Sequence, residues 1–469
     1  MELDVVLLSR IQFAFLVTFH IIFPSFTIGL AAWLATIEGM ALATRNEVYR
    51  RIFDFWLKVF AVSFGMGVVS GIVMAFQFGT NWSVMAEKTG SIQGPLLGYE
   101  TFTAFLLEAT FFGVMMFGRG RVSPKFYLFS CCMVAIGTMA SSFWILANNS
   151  WMQVPVGHEI VDGKIIPNDW LAIIWGPVFK IRWLHMLLGA FLTTAMCVAA
   201  TGAWYHLRRV HLAEGRVMLN WGLALAALLI PMQIFLGHLN GKYVYEHQPA
   251  KFAAIEARWQ PQQPGTEVWL AWPDEEQKRN LFAIETPGVG SLIATGSWTA
   301  AVPGLSDFPE EDWPPVVIPF FAFRIMVGMG LAMLAISWLG NLLRFTGKLE
   351  TARWFLWPTF LAFPTGFVGV IAGWYTAEVG RQPWVVYGLL RTADAHTPSL
   401  TVADVLTTLI GYGVVYAIIF SFGIYYIFKL LQKGPTAPGE TPASATAKRP
   451  MAAAGSARTA TGGDLRLEE

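Results

Sequence analysis

The sequence predicts an all-α integral membrane protein: a bundle of about nine transmembrane helices, one long extracytoplasmic loop and a disordered C-terminal tail. Three observations predict it. Of 469 residues 55% are hydrophobic and only 13% charged, whereas a soluble domain carries about a quarter charged residues. Nine apolar runs reach the roughly 20 residues that a helix needs to cross a bilayer. The runs are long and continuous and do not alternate, which argues against membrane strands.

The runs lie near 11–39, 55–80, 95–117, 126–152, 180–206, 217–240, 316–342, 354–378 and 404–431. The first has no basic leader and is too long for a cleavable signal. Basic residues follow alternate runs: Arg45, Arg50 and Arg51; Arg119, Arg121 and Lys125; Arg208, Arg209 and Arg216; Arg344, Lys348 and Arg353; Lys429 and Lys433. The positive-inside rule then places the N-terminus outside and the C-terminus in the cytoplasm, in agreement with an odd number of spans. Residues 241–315 are polar, rich in Pro and Trp, and by this parity face outward. Loops of this length are usually functional or disordered. From Gly434 the chain is Pro, Ala, Thr and Gly with scattered charges, a composition that cannot build a core. The expected organisation is a helix bundle over 1–433 and a disordered cytoplasmic tail over 434–469.

A formal net charge of +1 argues against nucleic acid as a partner. Cys131, Cys132 and Cys197 lie in apolar runs without metal-ligand spacing and read as small core residues. There is no phosphate-binding Gly loop, no His-Glu-x-x-His and no nucleophile elbow.

Ionisable groups within a bilayer are costly and mark functional sites. His20 lies in the first run, Glu100 and Glu108 in the third, His185 in the fifth and Arg324 in the seventh, and Glu378 ends the eighth. A lone buried His is as readily a packed residue bonded to a carbonyl as a haem ligand. Gly189 and Ala190 after His185 would let a flat macrocycle approach. Met326 alone reads as core filler, but a His and Met pair from different helices makes a six-coordinate haem, and Arg324 would sit near its charge. Glu100 and Glu108 differ by about 80° and about 12 Å on an ideal helix, so both border one interior channel; the bland reading is two structural carboxylates. Glu378, Gly380, Arg381, Gln382, Pro383 and Trp384, with Trp374 a turn earlier, form a dense acid–base–indole group where a span meets water. Its bland reading is an interfacial anchor. Lys251 and Glu256 in the outward loop, taken alone, are an ordinary amphipathic helix start.

In this order and on these spans, the Gly380-Arg381-Gln382-Pro383-Trp384 segment, the Phe323-Arg324-Ile325-Met326-Val327-Gly328 segment, the Lys251 to Glu256 motif and His20 after Arg10-Ile11-Gln12-Phe13 resemble subunit I of the cytochrome bd-type terminal oxidases, up to about Lys433. The resemblance implies oxidation of ubiquinol or menaquinol and reduction of dioxygen to water, in a bacterial cytoplasmic (inner) membrane. It implies three haems: a low-spin haem b on His185 and Met326, and a high-spin haem b and a haem d served by His20 and Glu378. Arg381 and Trp374 are then partners at the di-haem site, and Arg324 supports the low-spin haem. Glu100 and Glu108, with Ser141 and Asn149, line the proton route or the haem pocket. Lys251 and Glu256 act at the quinol site, with Glu256 accepting a proton. Partners would be a second membrane subunit and a small single-span subunit. The loop is short for the family, which places the chain with the short-loop branch that includes cyanide-insensitive oxidases; some of these carry a further haem b in place of haem d. Two other readings are an electron-transfer cytochrome b, which leaves the Glu378 to Trp384 group unexplained, and a proton-coupled transporter, which predicts no haem.

Overall fold

The computed structural model describes residues 4–435. Among them nine helices are long and apolar enough to cross a membrane: Val5–Thr44, Glu47–Thr80, Ser83–Phe117, Pro124–Gln153, Trp170–Arg208, Leu212–His247, Val317–Phe345, Arg353–Val379 and Val402–Lys433. Each contains one predicted run and most extend well past it. Side chains cap several of the helix starts. Asp4 Oδ1 accepts from Leu7 N at 2.7 Å and Asn46 Oδ1 from Val48 N at 2.9 Å, satisfying amides that the helix leaves free. Thr401 and Asp404 cap the ninth span reciprocally. The predicted disordered tail, from residue 436 on, lies outside the described residues.

The fifth span is the axis of the bundle. Of its most apolar window 72% is buried, against at most 39% elsewhere. Small residues make this possible. A Cβ added to Gly29 of the first span would stand 2.7 Å from Ala190 O, one on Gly222 of the sixth 2.6 Å from Ala195 O, and one on Gly366 of the eighth 2.5 Å from Thr193 Cα. Three helices thus approach the fifth at backbone distance, the packing expected where lipid offers no hydrophobic drive between helices. The ninth span is the reverse: its window is 17% buried, and Ile410, Phe422, Ile424 and Phe428 project outward.

Three spans depart from regular α-helix: the fifth consists of Trp170–Ile174 and Phe179–Arg208. The third span winds as a π-helix over Glu100–Phe105. The eighth consists of Arg353–Leu361 and Thr365–Val379, interrupted before Pro364, whose ring cannot continue the ladder.

The loop between the sixth and seventh spans is more ordered than its composition suggests. It holds a short helix, Pro249–Ile255, an antiparallel hairpin of Glu267–Asp274 with Arg279–Thr286, and a second short helix, Val289–Thr295. Ala253, Trp259, Val268 and Leu305 give it a core that packs against Phe320 of the seventh span. Two smaller hairpins, His158–Val161 with Lys164–Pro167 and Trp384–Val386 with Leu390–Arg391, occupy neighbouring connections. These connections meet at one end of the bundle: Tyr387 N donates to Met152 O at 3.0 Å, and Arg391 pairs with Asp312 at 2.6 Å. The opposite end carries the ion pairs Arg51–Glu214, Arg119–Glu38 and Arg216–Glu350.

Candidate haem and quinol site

A cavity of about 1660 Å³ runs through the bundle and reaches the large loop; His20, His185, Met326, Glu100, Glu108, Trp374, Glu378, Arg381, Lys251 and Glu256 all border it. Arg324 does not.

His20 Nδ1 lies 2.9 Å from Ser70 Oγ on the second span. That hydroxyl is placed to donate to Met66 O and Gly67 O, both at 3.0 Å. With its hydrogen so committed, Ser70 accepts from Nδ1–H, and the lone pair of His20 is left on Nε2. His185 makes no hydrogen bond among the described residues, and no partner competes for its ring.

Each of the three soft or nitrogen donors faces a glycine. A Cβ at Gly71 would lie 3.1 Å from His20 Cε1, one at Gly237 3.2 Å from His185 Nε2, and one at Gly373 2.9 Å from Met326 Sδ. Room is therefore kept at each donor where a side chain would intrude. Of the two small residues expected to admit a macrocycle beside His185, Gly189 borders the cavity and Ala190 serves helix packing. Gly189 abuts Val370, and Ala190 O meets Gly29. Gly237, on another span, also leaves room beside His185.

Glu378 is the centre of a buried polar cluster. Its Oε1 accepts from Asn149 Nδ2 at 3.0 Å and Gln153 Nε2 at 3.1 Å, and its Oε2 from Arg381 at 2.5 Å. Arg182, which sequence reasoning overlooked, donates to Asn149 Oδ1 at 2.5 Å and Ser150 Oγ at 2.8 Å. Lys251 reaches in from the loop helix, donating to Gln153 Oε1 at 3.0 Å and Ala377 O at 2.7 Å, its stem lying along Gly380. Burial pushes the Lys251 amine well below the usual lysine range, Glu378 opposing that shift and Arg182 and Arg381 adding to it. One carboxylate is thus faced by three basic side chains, and Arg381 Nε and one terminal nitrogen are buried without a partner. An acidic substituent such as a haem propionate would satisfy them.

Glu100 accepts from Ser141 Oγ at 2.7 Å. Glu108 is buried beside Gly137, and its Oε1 has no partner. The π-helical turn at Glu100 rewinds the ideal helix on which their angular separation was predicted, yet both still border the cavity. Asn149, grouped with these carboxylates from sequence, bonds Glu378 and Arg182 and borders the same cavity.

Arg324 is occupied by the loop. Its nitrogens donate to Ile255 O at 2.9 Å, Phe320 O at 3.1 Å, Trp269 O at 3.2 Å and Val268 O, and pair with Glu256 at 3.2 Å. It fastens Glu256 in place rather than bordering the cavity.

Among the described residues no group of three His, Cys, Asp or Glu side chains converges to hold a bare metal ion. Donors set singly on separate helices around one large cavity suit macrocycles that supply the remaining ligands themselves. A membrane bundle so arranged is a candidate haem protein.

The chain belongs to the cytochrome bd terminal oxidase subunit I family, whose model matches residues 8–435; these are quinol:oxygen oxidoreductases of respiratory electron transport that use haem and act as multi-subunit complexes. It is a multi-pass bacterial membrane protein. It is 33% identical over 440 residues to "Cytochrome bd ubiquinol oxidase subunit 1" of Bacillus subtilis (strain 168), covering 91% of this chain and 93% of that one. It is 30% identical over 502 residues to "Cytochrome bd-II ubiquinol oxidase subunit 1" of Escherichia coli (strain K12), covering 92% and 98%. The solved bd oxidase from Geobacillus thermodenitrificans superposes with a TM-score of 0.85 at 28% identity, over 92% of this chain and 99% of the other.

Proposed function

We propose that this chain is the haem-carrying subunit of a terminal oxidase that takes electrons from ubiquinol or menaquinol at its large loop and delivers them to dioxygen inside the bundle. The observation that carries this reading is the single cavity joining His185, Met326, His20 and Glu378 to Glu256 on the loop. His185 and Met326 would hold a low-spin haem b; His20 and Glu378 would serve a high-spin haem b and a haem d, or a further haem b in its place. When bound, these groups supply the electron transfer and oxygen chemistry.

The residues of the chain do the rest. Glu256, held by Arg324, accepts a proton from quinol at the cavity edge. Lys251 fixes the loop helix on Gln153 and Ala377, and so places Glu256 at that helix's C-terminal end. Arg381, with Asn149 and Gln153, orients Glu378, and Trp374 walls the space beside it. Glu100, held by Ser141, and Glu108, with a free oxygen, carry protons inward from the cytoplasmic side. With the N-terminus and loop outside and the C-terminus in the cytoplasm, quinol protons leave on one side and protons for water enter from the other. Charge then separates without a pump. A second membrane subunit and a small single-span subunit would cover the exposed apolar flank, and the loop belongs to the short-loop branch.

A dithionite-reduced minus oxidised spectrum of the purified complex, repeated with carbon monoxide, tests this reading. Low-spin b bands plus a CO-sensitive high-spin or chlorin band are expected. Low-spin bands alone would leave an electron-transfer cytochrome, and the absence of any haem band would overturn the proposal.

A further inference from the structure

Glu256 has a carboxylate neighbour. Glu267, the first residue of the loop hairpin, is 7% exposed and neighbours Glu256, itself 6% exposed: Arg324 Nη2 holds Glu256 Oε2 at 3.2 Å and also bonds the carbonyl of Val268, the residue after Glu267. Glu256 borders the cavity and Glu267 does not, so the pair leads from the cavity into the loop.

The surroundings are charged and few. Arg324 from the seventh span bonds Glu256 and attracts Glu267. Arg258 follows Glu256 in the chain and attracts both carboxyls; it donates to Thr266 O at 3.2 Å, lies over the Phe252 ring, and keeps Nε and one terminal nitrogen unpartnered. Tyr245 from the end of the sixth span faces Arg258. The partner strand sets Thr286 opposite Glu267, with Glu285, exposed, beside it. The packed helix Val289–Thr295 brings no titratable group.

Two neighbouring carboxyls away from water do not both ionise; they hold one proton between them. Arg324 and Arg258 keep the remaining negative charge in place. Burial, with the charge of Glu256, pushes the Glu267 carboxyl up to about 8.

We propose that Glu267 is the second member of a proton relay, taking from Glu256 the proton that quinol delivers and passing it to the outer surface of the loop. The proposal rests on the reading of Glu256 as the quinol-side acceptor. Each transfer balances: a quinol O–H bond breaks as an O–H bond forms on the Glu256 carboxylate, and the proton already on Glu267 leaves to water. The proton on Glu256 then moves to Glu267, and the second quinol proton follows the same path. Quinol is oxidised to quinone, and its two electrons leave by the established route to dioxygen. Because Glu267 acts through Glu256, it is a positioning and relay residue and not one that touches quinol.

The test uses the purified oxidase complex turning over a short-chain quinol, with Glu267→Gln, Glu267→Asp and Glu256→Gln compared across the neutral and alkaline range. Glu267→Gln is expected to lower kcat by roughly tenfold or more, with quinol KM and the haem spectrum unchanged. It is also expected to abolish the pH inflection near 8 and remove a protonated-carboxyl band from the infrared difference spectrum. Glu267→Asp should restore part of the rate and move the inflection. A Glu267→Gln enzyme with the original rate and pH profile overturns the relay, as does one whose KM rises while kcat holds, which would put Glu267 in contact with quinol. If Glu267→Gln does not assemble, an unmoved inflection in Glu267→Asp overturns it equally. Full activity in Glu256→Gln would instead sink the quinol-site reading itself, whereas impaired Glu256→Gln beside normal Glu267→Gln sinks the relay alone.

Discussion

Gly237 of the sixth span faces the imidazole of His185 on the fifth, so closely that a methyl group there would stand 3.2 Å from Nε2. The nitrogen proposed to ligate the low-spin haem is thus kept clear by a residue more than fifty positions along the chain. Gly237→Val would fill that space. We expect the low-spin b bands to be lost while the protein still inserts and assembles. Gly328→Ala, whose added Cβ meets nothing within 4 Å, should keep them. Full retention of the low-spin spectrum in Gly237→Val would remove His185 as a ligand candidate. His185→Ala should lose the same bands.

The proton role proposed for Glu108 can be separated from a structural one. Its Oε1 is buried without a partner, next to the backbone of Gly137. Glu108→Gln preserves shape and removes proton exchange. Oxygen reduction should slow by about a hundredfold, a usual scale for loss of a positioned acid–base group, with the haem spectrum intact. Stopped-flow oxidation of the reduced enzyme by dioxygen measures it, and an unchanged rate would leave Glu108 a packing residue.

The nine spans were legible because bilayer thickness imposes long apolar runs that no loop imitates. Their ends were not. Ser83–Tyr99 carries Glu87, Lys88 and Gln93, which interrupt the apolar run, while contacts such as Ser91 Oγ to Ile165 O at 2.7 Å hold the helix from outside it. The chemistry-bearing residues His20, His185, Glu100, Glu108 and Glu378 stood out because charge and imidazole are rare in lipid. Arg182 did not, since at the edge of a run it looks like an interfacial anchor; only Asn149 and Glu378, far away in sequence, give it a place. Glu267 was masked by the acidic loop around it. The hairpin that carries it did leave a trace, in the short apolar run Val268 to Trp272 and the polar turn at Asp274–Lys278, but the composition of the whole segment reads as polar loop.

At the opposite end of the bundle, Arg119 joins the loop after the third span to the first two spans. It pairs with buried Glu38 at 2.7 Å and lies over the rings of Phe53 and Tyr127 at 4.8 and 4.5 Å. Arg119→Ala leaves Glu38 buried without its partner, and removal of one member of such a pair costs about 3 kcal/mol. The thermal unfolding midpoint in detergent should fall, while Glu38→Gln combined with Arg119→Ala should recover part of the loss. A single variant as stable as the parent would show that water reaches Glu38.

The carboxyl of Glu267 also makes the loop sensitive to pH. Burial first, and then Glu256, raise it from an ordinary 4.5 to about 8. In the unfolded loop it ionises near 4.5 and in the folded loop near 8, so protons bind the folded form more tightly. The sign follows by linkage: this contribution to loop stability is fully present below pH 4.5 and is lost as pH rises through 8. Hydrogen exchange of the amides in Glu267–Asp274 and Arg279–Thr286, corrected for intrinsic rates, should therefore show protection falling from acid to alkaline pH. Glu267→Gln cannot ionise, and its loop should hold nearly constant protection over the same range. If the parent and Glu267→Gln lose protection in parallel, the pH sensitivity belongs to another group, with Glu256 the first to substitute.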